Sequence, residues 1–295
     1  MTDEPLHERE TALRTWLQSR GSVLVAFSGG VDSSYLACIA KDALGPAHML
    51  AVIGRSASYP AEQWERARAL AAVQGVPVFE VETHEMEDAR YAANPRNRCY
   101  FCKSELWSRL LPIARERELA AVADGTNADD LTDHRPGRRA AAEHGVHSPL
   151  AELGFTKAAI RELSRFRGLS TWREPSSPCL SSRLPYGTEV TPIRLAKVEH
   201  AERALRDAGV SGDLRVRYYG RTARIEMAQD ELARWSGTAA RATLASAVTC
   251  NGFDAVELDL RGFRSGSLNR SVACDADIEV LPGAEPSLSA VGTGV

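Results

Sequence analysis

Residues 23–34, VLVAFSGGVDSS, constrain this chain more than any other stretch. Val23 to Phe27 form a short apolar run, the pattern of a parallel strand buried on both faces. Ser28, Gly29 and Gly30 follow, and the two adjacent positions without a Cβ let the backbone turn sharply and present consecutive N–H groups to a ligand. Asp32, Ser33 and Ser34 then open a helix that continues through Ile39. Strand, glycine turn and helix N-terminus together make an anion site, because the helix dipole and its unpaired N–H groups point into the loop. The competing reading is a βα turn in which Asp32 or Ser33 only caps the helix. A GxxxxGK[ST] phosphate loop is excluded, since the loop is shorter and no lysine follows the glycines.

Around this loop, strand and helix patterns alternate. Leu13, Trp16 and Leu17 predict an amphipathic helix from about Leu6 to Arg20. Met49–Ile53, Val78–Val81 and Ala120–Ala123 predict three further strands, and Pro60 starts a helix at its favoured first position. That alternation implies an α/β fold of right-handed βαβ units on a parallel sheet. Ligands of such sheets bind at the carboxyl ends of strands, where Asp124–Asp130, DGTNADD, falls. There Gly125 lets the backbone approach a ligand, and Asp129 or Asp130 offers oxygen to magnesium; the alternative is a turn that caps the next helix.

Cys99 and Cys102 form a CxxC at the start of a helix through Ile113. Residues His134–Leu153 carry no clear period and read as a loop, with His144 and His147 on the surface. A helix over Thr156–Arg167 precedes TWREPSSPCLSSRLPYGTEVT, in which three prolines and two Ser-Ser pairs exclude regular structure and leave a shaped loop presenting Cys179. The domain boundary falls near Gly187. Beyond it, a helix over Thr191–Ala208, strands over Leu214–Tyr219 and Ala223–Met227, a helix from Gln229 to about Ala247 and a strand over Ala255–Leu260 predict a small α+β domain. Residues 265–295 read as a disordered tail, with Cys250 and Cys274 incidental.

The 295 residues suggest about two domains. No apolar run reaches the length of a membrane span, and MTDEPLHERE lacks a signal peptide's basic and apolar regions, so a cytoplasmic protein with no membrane partner is expected. A net charge of -3 argues against a dedicated nucleic-acid binder. Six cysteines in such a chain imply reduced thiols with metal or catalytic work rather than disulfides.

The SGGVDSS loop resembles the pyrophosphate loop of the PP-loop ATP pyrophosphatases, which split ATP between its α and β phosphates. Taken in order with RCYFCK (98–103), EPSSPCLSSRLPYG (174–187), LRVRYYGRTARIE (214–226) and ELDLRGFRSGSLN (257–269), the chain resembles the LarE family of ATP-dependent sacrificial sulfur transferases. The CLSSRLPYG stretch is the specific part. The resemblance implies a PP-loop domain over 1–187 and a smaller α+β substrate domain over 188–264. It also implies an enzyme that adenylates a carboxylate of a pyridinium dicarboxylate mononucleotide and replaces it with thiocarboxylate, on the route to a nickel-pincer nucleotide.

ATP and Mg²⁺ are the implied cofactors. The nucleotide contacts implied are Ser28, Gly29, Gly30, Asp32, Ser33 and Ser34, then Ile53 and Ser56 near the adenine, and Gly125, Thr126, Asn127 and Asp130 in the second loop. Cys179 is the implied sulfur-transferring residue, with Asp32 and Arg183 as catalytic partners. Members with three cysteines imply a [4Fe-4S] cluster on Cys99, Cys102 and Cys179, with one iron free for an extra sulfide. Cys99 and Cys102 also fit helix-start residues or a zinc half-site, and the sulfur comes either from Cys179 itself or from the cluster. Arg215 and Arg217, two apart on a strand, share a face and suit the substrate phosphate, with Ser182 beside them; Glu226 suits magnesium, a base, or a salt-bridged strand face. The resemblance also implies a homo-oligomer. The rival readings are a tRNA-thiolating PP-loop enzyme, against which stands the absence of an evident basic module, and a nucleotide- or cluster-binding regulator without turnover.

Overall fold

A computed structural model describes residues 4–131, 136–175, 178–264 and 277–282. The chain forms two compact units that part between Cys179 and Leu180. The first contains α1 (Glu4–Arg20), β1 (Val23–Ala26), α2 (Val31–Leu44), β2 (Met49–Arg55), α3 (Ala61–Gln74), β3 (Val78–Glu82), α4 (Ala89–Ala92), α5 (Arg98–Glu116), β4 (Ala121–Ala123), α6 (Pro136–Glu143), α7 (Pro149–Glu152) and α8 (Lys157–Phe166). Its four strands are parallel in the order β3-β2-β1-β4.

Alternation along β1 explains why it is apolar throughout. Val23, Val25 and Phe27 pack with Leu17, Leu36 and Ile160 on one face, while Leu24 and Ala26 meet Trp107 and Leu110 of α5 on the other. The chain leaves β1 toward β2 and β3 on one side and returns to β4 on the other. The loops after β1 and β4 therefore flank the crevice where an open parallel sheet binds ligands.

Part of the expected loop at His134–Leu153 is instead helical, as α6 and α7. Only Ala140 and Ala141 of α6 are buried, so there is no large-residue period to read; alanine propensity and an Arg139–Glu143 pair favour the helix. The stretch around Cys179, expected to hold no regular structure, contains 3₁₀ turns at Ser170–Arg173 and at Leu180–Arg183, the second bracketed by Pro178 and Pro185.

The second unit contains α9 (Pro192–Asp207), β5 (Leu214–Tyr219), β6 (Thr222–Met227), α10 (Gln229–Arg234), α11 (Thr238–Thr249), β7 (Ala255–Asp259) and β8 (Ile278–Val280). Thr191 caps α9 by accepting from the Arg194 N–H at 3.3 Å, with Pro192 at the first helical position. The sheet order is β5-β6-β7-β8: β5 and β6 form an antiparallel hairpin, β7 joins β6 in parallel and β8 joins β7 antiparallel.

Three expectations for this half are corrected. The helix from Gln229 breaks into α10 and α11, because Gly237 leaves the helical conformation and caps the second segment. The boundary lies at 179/180 rather than near Gly187, since the turn from Leu180 is tied into the second unit through Arg183 and Glu202. The tail is not uniformly without structure, because Ile278–Val280 pairs with the free edge of β7. Its remaining residues, with Cys274, lie outside the described residues.

Candidate functional site

The phosphate loop is held open from both ends. Gly29 has φ +69°, and a Cβ there would lie 2.5 Å from the Ala67 Cβ of α3, so glycine is required on both counts. Ser33 Oγ accepts from the Ser28 N–H at 3.2 Å, lies 3.1 Å from Ser28 Oγ and donates to the Gly30 carbonyl at 3.2 Å. Tyr59 and Gln63 donate to the Ser28 carbonyl at 2.9 and 2.7 Å. No side chain caps α2, whose residue before the first turn is Gly30. The helix-capping reading of Asp32 and Ser33 therefore does not describe the loop, and the first-turn N–H groups face it.

The loop after β4 lies over this turn. A Cβ on Gly125 would stand 2.8 Å from the Ser33 backbone nitrogen. Asp124 accepts from the Thr126 N–H and from Ser148 Oγ, and Asn127 Oδ1 accepts from the N–H groups of Asp129 and Asp130. These bonds fix the DGTNADD backbone. Asp32 Oδ2 meets Lys157 Nζ at 2.6 Å, while Asp32 Oδ1 is buried without a hydrogen-bond partner. Burial holds the Asp32 carboxyl above the usual range, Lys157 opposes it and nearby Asp130 adds to it. Lys157 is a site residue that the sequence did not reveal; it opens α8, and its backbone N–H donates to Asp129.

Of the two residues expected near an adenine, Ile53 points into the core and offers only its backbone. Ser56 donates to Glu85 at 2.6 Å. Ser34 is buried, and its hydroxyl has no hydrogen-bond partner among the described residues.

Cys99, Cys102 and Cys179 all belong to the first unit and lie outside any disulfide. Cys99 is exposed and the other two are half-buried. Burial pushes the Cys102 thiol well above its ordinary value, and the nearby charges of Glu85, Cys179 and Cys99 push the same way. Cys99 and Cys179 therefore both lie within electrostatic reach of Cys102. Among the described residues, no three His, Cys, Asp or Glu side chains converge as a single metal ion requires. A cleft of about 740 Å³ takes Thr126 and Leu131 from the second nucleotide loop, Tyr100 and Phe101 from the turn between the cysteines, and Arg138 from α6.

In the second unit Arg183, Arg215, Arg217 and Glu226 are all buried. Arg183 forms a two-pronged pair with Glu202, both contacts at 2.9 Å, and donates to Ser182 Oγ at 3.1 Å. Arg217 pairs with Glu226 Oε2 at 2.7 Å and donates to the Ser182 carbonyl at 2.8 Å. Glu226 is thus salt-bridged on its strand, but the pair is buried rather than on the solvated face expected as the alternative. Burial and the like charges of Arg183 and Arg217 push the Arg215 guanidinium down to about 10, against the pull of Glu202. An anion placed here would relieve that repulsion.

Comparison with known proteins agrees with this geometry. The NAD synthase family profile matches residues 6–113, which span the phosphate loop. An uncharacterised protein of Synechocystis sp. is 43% identical over 258 residues, covering 88% of this chain and 96% of that protein. An uncharacterised protein of Methanocaldococcus jannaschii is 29% identical over 208 residues, 70% of this chain and 78% of its own. The pyridinium-3,5-bisthiocarboxylic acid mononucleotide synthase of Lactiplantibacillus plantarum is 35% identical over 264 residues, 90% of this chain and 95% of that enzyme. No helix among the described residues is long and apolar enough to cross a membrane. With a PP-loop unit at its front and similarity to that synthase from end to end, the chain belongs to the LarE family of ATP-dependent sulfur transferases.

Proposed function

We propose that this protein adenylates a carboxylate of a pyridinium dicarboxylate mononucleotide and converts it to a thiocarboxylate, releasing AMP and pyrophosphate, on the route to a nickel-pincer nucleotide. The observation that carries the reading is the Gly125 backbone laid over the first turn of α2, in the same unit as three cysteines outside any disulfide.

A carboxylate resists sulfur because its leaving group is oxide. Its oxygen therefore attacks the α phosphorus of ATP, and the bond to the bridging oxygen breaks with its electron pair passing to pyrophosphate. The N–H groups at the start of α2 and the Lys157 ammonium receive the charge that develops there. Asp32 and Asp130 fit a magnesium ion, because Asp32 Oδ1 is a buried oxygen without a partner; the ion supplies further neutralisation of the phosphates. A sulfur nucleophile presented at Cys179 then attacks the acyl carbon, and AMP leaves with the electron pair of the broken bond.

Arg215 and Arg217, with Ser182, hold the mononucleotide phosphate in this reading, and Arg183 fixes Ser182 and Glu202 around them. Cys99, Cys102 and Cys179 would hold the [4Fe-4S] group in this reading, since a cluster takes each thiolate on a different iron and Cys99 and Cys179 both act on Cys102. When bound, that group supplies an iron open to sulfide.

The test combines the protein with Mg·ATP and either a carboxylated pyridinium mononucleotide or tRNA. Thiocarboxylate and AMP formed only with the mononucleotide are expected, whereas AMP formation that requires tRNA overturns the reading. Anaerobic iron and sulfide assays then compare the wild type with Cys99→Ala. Iron lost in the variant supports the cluster. An iron-free wild type whose Cys179 becomes dehydroalanine after one turnover assigns the sulfur to Cys179 itself.

A further inference from the structure

The Ser28 carbonyl, at the entry to the glycine turn, accepts two hydrogen bonds from outside the loop, from Tyr59 Oη at 2.9 Å and from Gln63 Nε2 at 2.7 Å. A carbonyl oxygen has two lone pairs, so this one is saturated and its direction is fixed. The Ser28–Gly29 peptide is trans and planar, which sets the Gly29 N–H on the side opposite that carbonyl. No backbone carbonyl among the described residues accepts from the Gly29 N–H. The same face of α3 limits the turn sterically. Gln63 and Ala67 are buried neighbours one helical turn apart, and a Cβ on Gly29 would lie 2.5 Å from the Ala67 Cβ. Gln63 is only 7% exposed, and its Oε1 is buried with no hydrogen-bond partner among the described residues. A side chain needed there only to fill space would be apolar and carry no such desolvation cost. Burial raises the Tyr59 phenol above its ordinary value, so the hydroxyl keeps its proton and remains a donor.

We infer that Tyr59 and Gln63 are positioning residues that aim the Gly29 N–H at the pyrophosphate of ATP. The assignment rests on the phosphate-loop part of the reading above and adds to it the side chains that hold the donor in place. Two bonds to one carbonyl turn a flexible glycine peptide into a fixed dipole. A dipole fixed beforehand needs no reorganisation when charge develops on the leaving pyrophosphate. The donor serves the pyrophosphate and not the AMP that remains, so the two products report on it separately.

The experiment measures binding of inorganic pyrophosphate and of AMP, each with Mg²⁺, to the full chain by calorimetry. Wild type is compared with Tyr59→Phe, Gln63→Met and the double variant; the first removes one oxygen and the second keeps the side chain's length without its donor. The double variant is expected to bind pyrophosphate at least about tenfold more weakly, with AMP affinity unchanged within about twofold. A folded double variant that binds pyrophosphate as the wild type does overturns the assignment. So does an equal loss of AMP and pyrophosphate affinity, which marks a role in folding the unit rather than in aiming one donor. Should the double variant fail to fold, Tyr59→Phe decides by the same pair of affinities: selective weakening of pyrophosphate supports the assignment, and its absence overturns it. A wild type that binds AMP but no pyrophosphate removes the phosphate-loop reading together with this inference, a result distinct from a wild type that binds both.

Discussion

At the scale of single residues, the residues that complete the site are the ones the sequence hid. Lys157 lies 125 positions from Asp32 and follows a threonine cap, so nothing local distinguishes it from any lysine opening a helix. Gln63 lies within PAEQWERAR, where it reads as one more solvated helix position until its burial is seen. Asp32, Gly29 and Cys179 were legible because strand, turn and helix signals, or a run of prolines, surround them. The role proposed for Lys157 can be measured directly. Lys157→Met is expected to slow pyrophosphate release by about 10²-fold, the usual loss when one fixed charge facing a developing anion is removed. The same variant should leave the iron content unchanged, since Lys157 acts on the nucleotide loop.

At the scale of elements, close approach matters more than composition. The β4 loop reaches α2 so closely that one methyl group at Gly125 would meet the backbone of Ser33. Gly125→Ala is therefore expected to weaken binding of a non-hydrolysable ATP analogue at least about tenfold by calorimetry, a loss of about 1.4 kcal/mol. The short β7 is held differently. Burial alone would raise the Asp259 carboxyl, but the Arg261 side chain at 2.7 and 2.8 Å, its backbone N–H and nearby Arg264 hold it below the ordinary carboxylate range. The stability this gives is complete above the ordinary carboxylate value and is lost as pH falls through the lowered one. Denaturant midpoints measured from neutral pH into that acid window should fall for the wild type, and Asp259→Asn should flatten the fall. The strands themselves were legible because a strand buried on both faces leaves an uninterrupted apolar run. By contrast α6 buries only two alanines, and β8 is three residues long, so neither leaves a period to read.

At the scale of the whole molecule, the two units use charge in opposite ways. The first sets Asp32 and Asp130, which suit cations, beside its anion loop. The second buries Arg183, Arg215 and Arg217 beside Glu202 and Glu226, and the proposed function sets the substrate phosphate against these arginines. Inorganic phosphate should accordingly raise the thermal midpoint of the full chain, by about 2.7 kcal/mol of stability at a hundred times its dissociation constant. Arg215→Met should abolish that response, as read by calorimetric melting with and without phosphate.

The buried arginines also bear on how long the protein lasts. A fold that is tightened by the group it recognises is opened less often when that group is plentiful, and proteases act on the opened form. Where the buried arginines take the substrate phosphate as proposed, enzyme lifetime in a cell would follow the supply of that substrate without any dedicated sensor.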